Sequence, residues 1–242
     1  MTITSPHNPK LKEIRKLAAR RERARTGLFV AEGEDLVRAA ADAGWAPVHL
    51  LAAAGSLLDG EEVEPALLAG ASALGSGTRT IGVYEQRWAE PTGPRCVALW
   101  GVRDPGNVGT VLRAARSFGA GSVAIGPGCA DPYGPKAVRA SMGALFGVPL
   151  ARYTTVEELP GTVVALDAHA EEPIAELTAE GPLTLLVGAE RAGLPKDVLT
   201  SCDRVVRIPI HSESLNAAMA ATVALYEVTR GAVAADRRMP TP

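Results

Sequence analysis

The sequence predicts an α/β protein with two domains, the second of which is built around a mainly parallel β-sheet. At 242 residues the chain can bury two modest cores. A cluster of helix and strand breakers at residues 90–94 separates two patterned stretches. After this cluster, short apolar runs alternate with helical patterns, which is typical of a parallel sheet with crossover helices. We therefore place a small α/β domain at residues 1–92, a second domain at 95–235 and a disordered tail at 236–242.

The first domain begins with a predicted basic helix. Leu11, Ile14 and Leu17 have helical spacing and Gly27 is a stop signal, so we predict one amphipathic helix over residues 9–25. The elements predicted after it are a strand at 28–31, a helix at 34–43, a strand at 47–52 and a strand at 79–84.

The second domain repeats strands and helices. Its predicted strands are 96–100, 122–125, 162–166, 183–187 and 205–208, and its predicted helices are 107–118 and 215–229. Because aromatic residues make up only 4% of the chain, we expect aliphatic cores and no aromatic platforms on which RNA bases could stack.

Charge is distributed unevenly along the chain. The formal net charge is −2, which argues against a generic polyanion binder, so any contact with nucleic acid must be local. The segment from Lys10 to Arg25 contains eight basic and two acidic residues, which gives it a net charge of +6. Such a run is also typical of a solvated helix face. The candidate RNA contacts here are Lys10, Lys12, Arg15, Lys16, Arg20 and Arg21.

The cysteines indicate a reducing compartment and no metal site. Cys96, Cys129 and Cys202 are widely separated and lack the spacing of metal ligands, so we expect three buried thiols. The chain shows no apolar signal segment at its N-terminus and no run of eighteen apolar residues. We therefore expect a cytoplasmic protein without a bound metal.

Polar residues follow the first strand of the second domain. Neither a Gly-x-Gly-x-x-Gly sequence nor a P-loop is present, which argues against a dehydrogenase or a nucleoside triphosphatase. Instead Asn107 stands where a helix cap is expected, and Arg113 falls in the second turn of that helix. A simpler interpretation makes Asn107 only a cap and Arg113 a surface arginine.

Two further stretches follow later strands. Glu190 comes two residues after Gly188, where the strand at 183–187 ends, and ligands bind at this carboxyl edge in open parallel sheets. Glu190 could equally anchor a tight loop. The third stretch, residues 206–220, again has the order strand, loop and helix.

Taken in order, these three stretches resemble the signature motifs of the SpoU (TrmH-like) RNA 2′-O-ribose methyltransferases of the SPOUT superfamily. The resemblance covers nearly the whole second domain and includes residues 136–146, where Arg139 is a further candidate for RNA binding. Phe29 to Gly33, which follow the basic helix, resemble the substrate-binding domain of rRNA-directed members.

The resemblance implies a SPOUT-type catalytic domain with a C-terminal trefoil knot, an exception to the usual absence of knots. It implies S-adenosylmethionine (SAM) as the cofactor, held mainly by backbone groups at Gly188, Ile208 and Leu215. It also implies an RNA substrate and a homodimer, with the active site near the subunit interface and Arg113 acting across it.

The resemblance also implies roles for polar side chains. We expect Arg113 to bind phosphate and polarise the 2′-oxygen, because an arginine is a poor base. Asn107, Ser214 and Asn216 would hold that guanidinium or the ribose, and Glu190 would organise its loop. The loop over 210–213 is shorter than in many relatives, and we interpret His211 within it as non-catalytic.

Two other functions stay open at this point. The substrate could be tRNA, although an N-terminal domain of this size favours rRNA. The fold could also serve as an inactive RNA-binding or ribosome-binding protein, which the presence of both Arg113 and Asn216 disfavours.

Overall fold

The computed structural model describes residues 2–73, 77–177, 181–211 and 214–236. The elements up to residue 85 are α1 (Pro9–Leu17), α2 (Arg20–Thr26), β1 (Leu28–Glu32), α3 (Glu34–Asp42), β2 (His49–Ala53), β3 (Glu61–Val63), α4 (Pro65–Ala69) and β4 (Thr80–Glu85). The later elements are β5 (Arg95–Leu99), α5 (Pro105–Ser117), β6 (Ser122–Ile125), α6 (Pro135–Ala140), β7 (Leu150–Arg152), β8 (Thr162–Leu166), β9 (Glu172–Pro173), β10 (Leu183–Val187), α7 (Lys196–Thr200), β11 (Arg204–Arg207) and α8 (Ala217–Asp236).

The chain divides into two compact units. Unit 1 contains residues 1–87 together with 131–147, and unit 2 contains 88–130 together with 148–242. Our boundary between residues 92 and 95 stays a prediction. The compact units differ from it chiefly because the segment 131–147, which we assigned to the second domain, packs within unit 1.

Unit 1 is built on a four-stranded sheet in the order β1-β4-β2-β3. The strands β1 and β2 both run antiparallel to β4, whereas β3 runs parallel to β2. Leu11, Ile14 and Leu17 of α1 are buried against side chains of this sheet such as Val30 and Ile81. The helical spacing of these three apolar residues therefore correctly predicted which face of α1 is buried.

The predicted single helix over 9–25 is wrong in one respect, because two helices occupy it. The backbone breaks at Ala18 and Ala19 between α1 and α2. Arg23 explains the break, since its Nη1 donates hydrogen bonds to the carbonyl oxygens of Leu17 (2.7 Å) and Ala18 (2.8 Å). These carbonyls lie at the end of α1, where a helix leaves acceptors unsatisfied.

Aromatic packing attaches the segment 131–147 to unit 1. Phe29 of β1 contacts Tyr133 and Phe146 of this segment, with ring centroids 4.7 and 6.0 Å apart. The indole Nε1 of Trp45 donates a hydrogen bond to the Phe146 carbonyl at 3.0 Å. Burial raises the pKa of Tyr84 in the same cluster to about 12. The expectation of purely aliphatic cores is therefore wrong for unit 1.

Unit 2 contains a seven-stranded sheet in the order β7-β6-β5-β10-β8-β11-β9, and every described pair in it is parallel. The predicted parallel sheet is confirmed. The helices α5 and α8 pack against each other, and α8 also packs against β10. The trefoil knot that the resemblance implies stays a prediction, and residues 237–242 of the predicted disordered tail lie outside the described residues.

Within the described ranges, no helix is both long and apolar enough to span a membrane.

Candidate active site

A pocket of about 620 Å³ lies in unit 2 beyond the carboxyl ends of β8, β10 and β11. All three predicted cofactor residues, Gly188, Ile208 and Leu215, line it, as do Glu190 and Ser214. Ligands bind at this edge of parallel sheets because the loops that follow neighbouring strands converge there. Its volume is within the usual range for small-molecule sites.

Gly188 allows the loop after β10 to fold back on itself. The backbone N–H and C=O groups of Ala189 and Gly193 exchange two hydrogen bonds, of 3.2 and 2.9 Å. A Cβ at position 188 would lie only 2.5 Å from the carbonyl carbon of Gly193, and this neighbour is backbone that cannot rotate away. A side chain at position 188 would therefore displace the backbone that forms the wall of the pocket.

Three side chains from three motifs form a hydrogen-bonded cluster, which we call the amide–carboxylate cluster: Asn107, Glu190 and Asn216. The Nδ2 of Asn216 donates to Glu190 Oε1 at 2.6 Å and to Asn107 Oδ1 at 3.0 Å. The Nδ2 of Asn107 also donates to Glu190 Oε1. The structure thus brings together three of the five predicted catalytic residues, although Asn107 and Asn216 are more than a hundred residues apart in the chain.

Helix caps fix the orientation of this cluster. Asn216 is the N-terminal cap of α8, because its Oδ1 accepts hydrogen bonds from the backbone N–H of Ala218 (2.9 Å) and of Met219 (3.3 Å). Its amide nitrogen must therefore point the other way, towards Glu190. The cap of α5 is Asp104, whose Oδ1 accepts the N–H of Asn107 at 2.9 Å. Our prediction that Asn107 caps this helix is wrong, and its side chain is consequently available to the cluster.

Arg113 stands apart from the cluster. It lies six residues beyond Asn107 on α5, so the two side chains leave the helix about 120° apart around its axis. Its side chain is exposed, and no hydrogen bond or ion pair joins it to another described residue. The two asparagines bind Glu190, so their expected hold on the guanidinium or the ribose stays a prediction.

One wall of the pocket was not predicted from the sequence. Residues Leu166 to His169, which follow β8, line it. Arg207 holds this loop, since its Nη1 donates hydrogen bonds to the carbonyl oxygens of Ala170 (2.9 Å) and Glu171. This wall could have been predicted, because the strand at 162–166 was predicted and the loop after each parallel strand is a candidate for ligand binding. His211 is exposed and does not line the pocket.

The basic residues proposed for RNA lie in unit 1 and differ in their surroundings. Five of them are exposed and have no ion pair among the described residues: Lys12, Lys16, Arg20, Arg21 and Arg139. Lys10 pairs with Glu61, and Arg15 donates a hydrogen bond to the carbonyl of Pro6 at 3.0 Å.

Arg23 is the exception among the basic residues of the two N-terminal helices. Only 4% of this residue is exposed, and its Nη2 pairs with Asp131 at 2.8 Å. It belongs to the interior of unit 1 and cannot contribute to a surface for RNA.

The three cysteines all lie in unit 2. Cys96 and Cys129 are buried, and desolvation raises the pKa of both thiols. Cys202, which we expected to be buried, is only partly so, and its pKa rises to about 11. Across the described ranges, no three side chains of the His, Cys, Asp or Glu type are grouped closely enough to hold a metal.

Two family models match the chain. The model described as the SpoU rRNA Methylase family matches residues 94–226, which is more than half of the sequence. The model described as an MRM3-like substrate binding domain matches residues 8–89.

Three known proteins are similar to this chain over different lengths. The 23S rRNA (guanosine(2553)-2′-O)-methyltransferase RlmP of Bacillus subtilis is 29% identical over 245 residues, covering 93% of this chain and 98% of that protein. The 23S rRNA (uridine(2479)-2′-O)-methyltransferase of Streptomyces viridochromogenes is 36% identical over 152 residues; the match covers 57% of this chain and only 53% of that protein. The crystal structure of an AdoMet-bound rRNA methyltransferase from Sinorhizobium meliloti has 32% identity and a TM-score of 0.85, covering 96% of this chain and 98% of that chain.

Proposed function

Because this chain belongs to the SpoU rRNA methylase family, we propose that it transfers a methyl group from SAM to the 2′-hydroxyl of a ribose in 23S rRNA. The observation that carries the proposal is the amide–carboxylate cluster beside the pocket, since Glu190 belongs to both. A small-molecule site and a set of fixed polar groups thus meet at one edge of the sheet. We infer that the protein works in the cytoplasm, where an rRNA substrate is made.

The pocket fits SAM in size and in chemistry. Leu166, Val187 and Ile208 give it apolar walls, and the folded loop after β10 lends backbone groups. Apolar walls with a few placed polar groups are typical of cofactor sites. SAM supplies, when bound, an electrophilic methyl group on a sulfonium. No metal is required for this displacement.

The remaining chemistry is orientation of the ribose and stabilisation of its oxygen. The 2′-hydroxyl loses a proton as its oxygen attacks, so a fixed positive group near that oxygen favours the transition state. Arg113 supplies this group in our proposal, because its guanidinium is exposed and has no competing partner among the described residues. Glu190 and the two asparagines hold the loop that separates cofactor from nucleotide.

We propose that the protein is a homodimer. Met219, Val223 and Tyr226 follow one another at helical spacing on α8 and are 58%, 41% and 56% exposed. An exposed apolar stripe of this kind favours burial against another protein surface. The orientation of Arg113, about 120° around α5 from Asn107, supports its action in the active site of the partner. Light scattering measures the mass directly, and a Tyr226→Asp variant should shift it towards the monomer.

The choice of rRNA over tRNA rests on unit 1. Two relatives that match nearly the whole chain, from Bacillus subtilis and Sinorhizobium meliloti, are named for rRNA. The basic side chains on α1, α2 and α6 give unit 1 an electrostatic surface for phosphates. Protein binding to a large RNA needs such contacts outside the active site, because they fix position without reading the sequence.

The experiment is methyl transfer from labelled SAM to unmodified 23S rRNA, with a tRNA pool as the parallel substrate. Complete digestion of the product and mass spectrometry should yield one 2′-O-methylated nucleoside from rRNA. Label in tRNA alone would show that the substrate is tRNA. Label on a base would show that the reaction is base methylation and not 2′-O-methylation. Absence of label from both RNAs, with SAM bound, would favour the inactive RNA-binding protein.

A further inference from the structure

Two arginines beside the active site have no assigned role. Arg103 and Arg191 are both exposed, and no hydrogen bond or ion pair joins either to another described residue. Neither belongs to the residues that we assign to catalysis, and both lie in unit 2. We refer to them as the arginine pair.

The arginine pair flanks the amide–carboxylate cluster from two neighbouring strands. In the parallel sheet Leu99 of β5 pairs with Val187 of β10, and each arginine lies four residues beyond its strand end. The two loops stay together past the strands, because the N–H of Trp100 donates to the carbonyl of Val187 at 2.9 Å. The two arginines therefore lie on adjacent loops at the carboxyl edge of the sheet, where Arg191 also lines the pocket.

The backbone that carries each arginine is fixed although its side chain is solvated. Arg103 follows Val102, which is 2% exposed and accepts a hydrogen bond from the Ala130 N–H at 2.9 Å. Asp104, the cap of α5, comes directly after it. Arg191 sits within the loop that Ala189 and Gly193 close with two hydrogen bonds. Fixed attachment points lower the entropy that must be lost when a ligand binds.

The neighbouring acids do not neutralise the pair. Asp104 and Glu190, each adjacent in sequence to one of the arginines, accept hydrogen bonds from amide groups of Asn107 and Asn216 instead. Amides satisfy these carboxylates without pairing them to a cation, so both guanidiniums remain available for an external anion. Planar guanidiniums match the two oxygens of a phosphodiester.

We propose that the arginine pair binds the phosphodiesters on either side of the target nucleotide. The inference rests on the proposed function, because a ribose inside an RNA chain carries one phosphodiester on its 5′ side and one on its 3′ side. Two cations on adjacent loops hold these groups and orient the ribose towards the pocket. Arg191 lines the pocket as well, so the carboxylate of SAM is the competing ligand for it.

The test measures RNA binding and SAM binding separately on the full chain. The variants are Arg103→Gln, Arg191→Gln and their combination, and the control is Arg38→Gln, an exposed and unpaired arginine on α3 among the described residues. Filter binding of unmodified 23S rRNA at several salt concentrations gives the affinity and its salt slope. We expect each substitution to lower the slope of log K against log salt by about 1, and SAM affinity to stay unchanged in calorimetry.

Several outcomes would overturn the inference. An unchanged salt slope in the double variant would show that neither arginine binds phosphate. A weaker SAM affinity in Arg191→Gln, with RNA affinity intact, would assign that residue to the cofactor. An equal effect of Arg38→Gln would show that the change in salt slope reflects only the net charge of the protein. If wild-type protein binds this RNA but transfers no methyl group to it, the proposed function is wrong. The salt slopes of the variants would still show whether the arginine pair binds phosphate.

Discussion

Arg23 of α2 in unit 1 and Arg113 of α5 in unit 2 have opposite surroundings. Arg23 of α2 is almost wholly buried and donates to two carbonyl groups and to Asp131. Arg113 of α5 is exposed and has no partner among the described residues. One stabilises its unit, and the other is available to a substrate.

The same contrast extends to the surroundings of these residues. In unit 2 the polar side chains of the active site fix one another through hydrogen bonds, so each depends on its neighbours. In unit 1 four cations of α1 and α2 are exposed and have no ion pair among the described residues: Lys12, Lys16, Arg20 and Arg21. We therefore expect single substitutions in unit 2 to have large effects, whereas those among the exposed cations of unit 1 should be small and additive.

The largest effect should come from Gly188→Val. The new side chain would overlap the backbone of Gly193 and Leu194, so the loop that walls the pocket must move. We expect SAM binding to fall below detection in calorimetry. Gly188→Ala should be impaired as well, because even its Cβ would lie 2.5 Å from a backbone carbon. Normal SAM affinity in both variants, with circular dichroism unchanged, would separate the loop from the cofactor site.

Arg113→Ala should abolish most of the activity while SAM affinity and oligomeric state persist. Removing one interaction made to the transition state typically lowers the rate on the order of a hundredfold or more. Arg113→Lys should remain strongly impaired, since an ammonium lacks the planar fork that bridges a phosphate and a 2′-oxygen. The measurement is the single-turnover rate at saturating SAM, and rescue by lysine would reduce the role to charge alone.

Arg23→Met should affect stability instead of chemistry. Removing one partner of a buried ion pair leaves Asp131 uncompensated, which costs about 3 kcal/mol in the free energy of unfolding. The matched control is Arg21→Met on the same helix, where an exposed side chain should contribute within about 0.5 kcal/mol. Chemical denaturation compares the two, and equal losses would contradict the distinction between the buried and the exposed arginines.

The smallest effects per residue should come from the exposed cations of α1 and α2. Replacing Lys12, Lys16, Arg20 and Arg21 together by glutamine should lower the salt slope of rRNA binding by about 0.7 to 0.9 for each phosphate that these side chains neutralise. Substitution is the cleaner test, because deleting the helices would also remove Leu11, Ile14 and Leu17 from the core of unit 1. An unchanged slope would show that these side chains form a solvated surface that does not bind RNA.

Sequence patterns predicted much of unit 2 because its order is local and periodic. The strands at 122–125, 162–166 and 183–187 were predicted with the bounds that the structure has. Since strand ends place ligand sites, they also located Gly188 and Glu190 at the pocket. The short strands β3, β7 and β9 were missed, because two or three residues carry no detectable period.

What the sequence could not predict depends on distant partners. The break between α1 and α2 follows from hydrogen bonds of Arg23, whose burial no local pattern indicates. The segment 131–147 joins unit 1 through aromatic contacts with Phe29 and Trp45, about a hundred residues away in the chain. Asn107 has the residue type of a cap, but Asp104, three residues earlier, occupies the cap position and accepts the N–H of Asn107.

We propose that unit 2 performs the chemistry whereas the exposed cations of unit 1 only bind RNA. The test is the single-turnover rate of methyl transfer at saturating 23S rRNA and SAM. It compares Arg113→Ala with the quadruple variant, in which four cations of α1 and α2 are replaced by glutamine. We predict that saturation restores the quadruple variant to the wild-type rate and leaves Arg113→Ala slower on the order of a hundredfold or more. A quadruple variant that stays slow at saturation, or an Arg113→Ala variant that recovers, would contradict this division of roles.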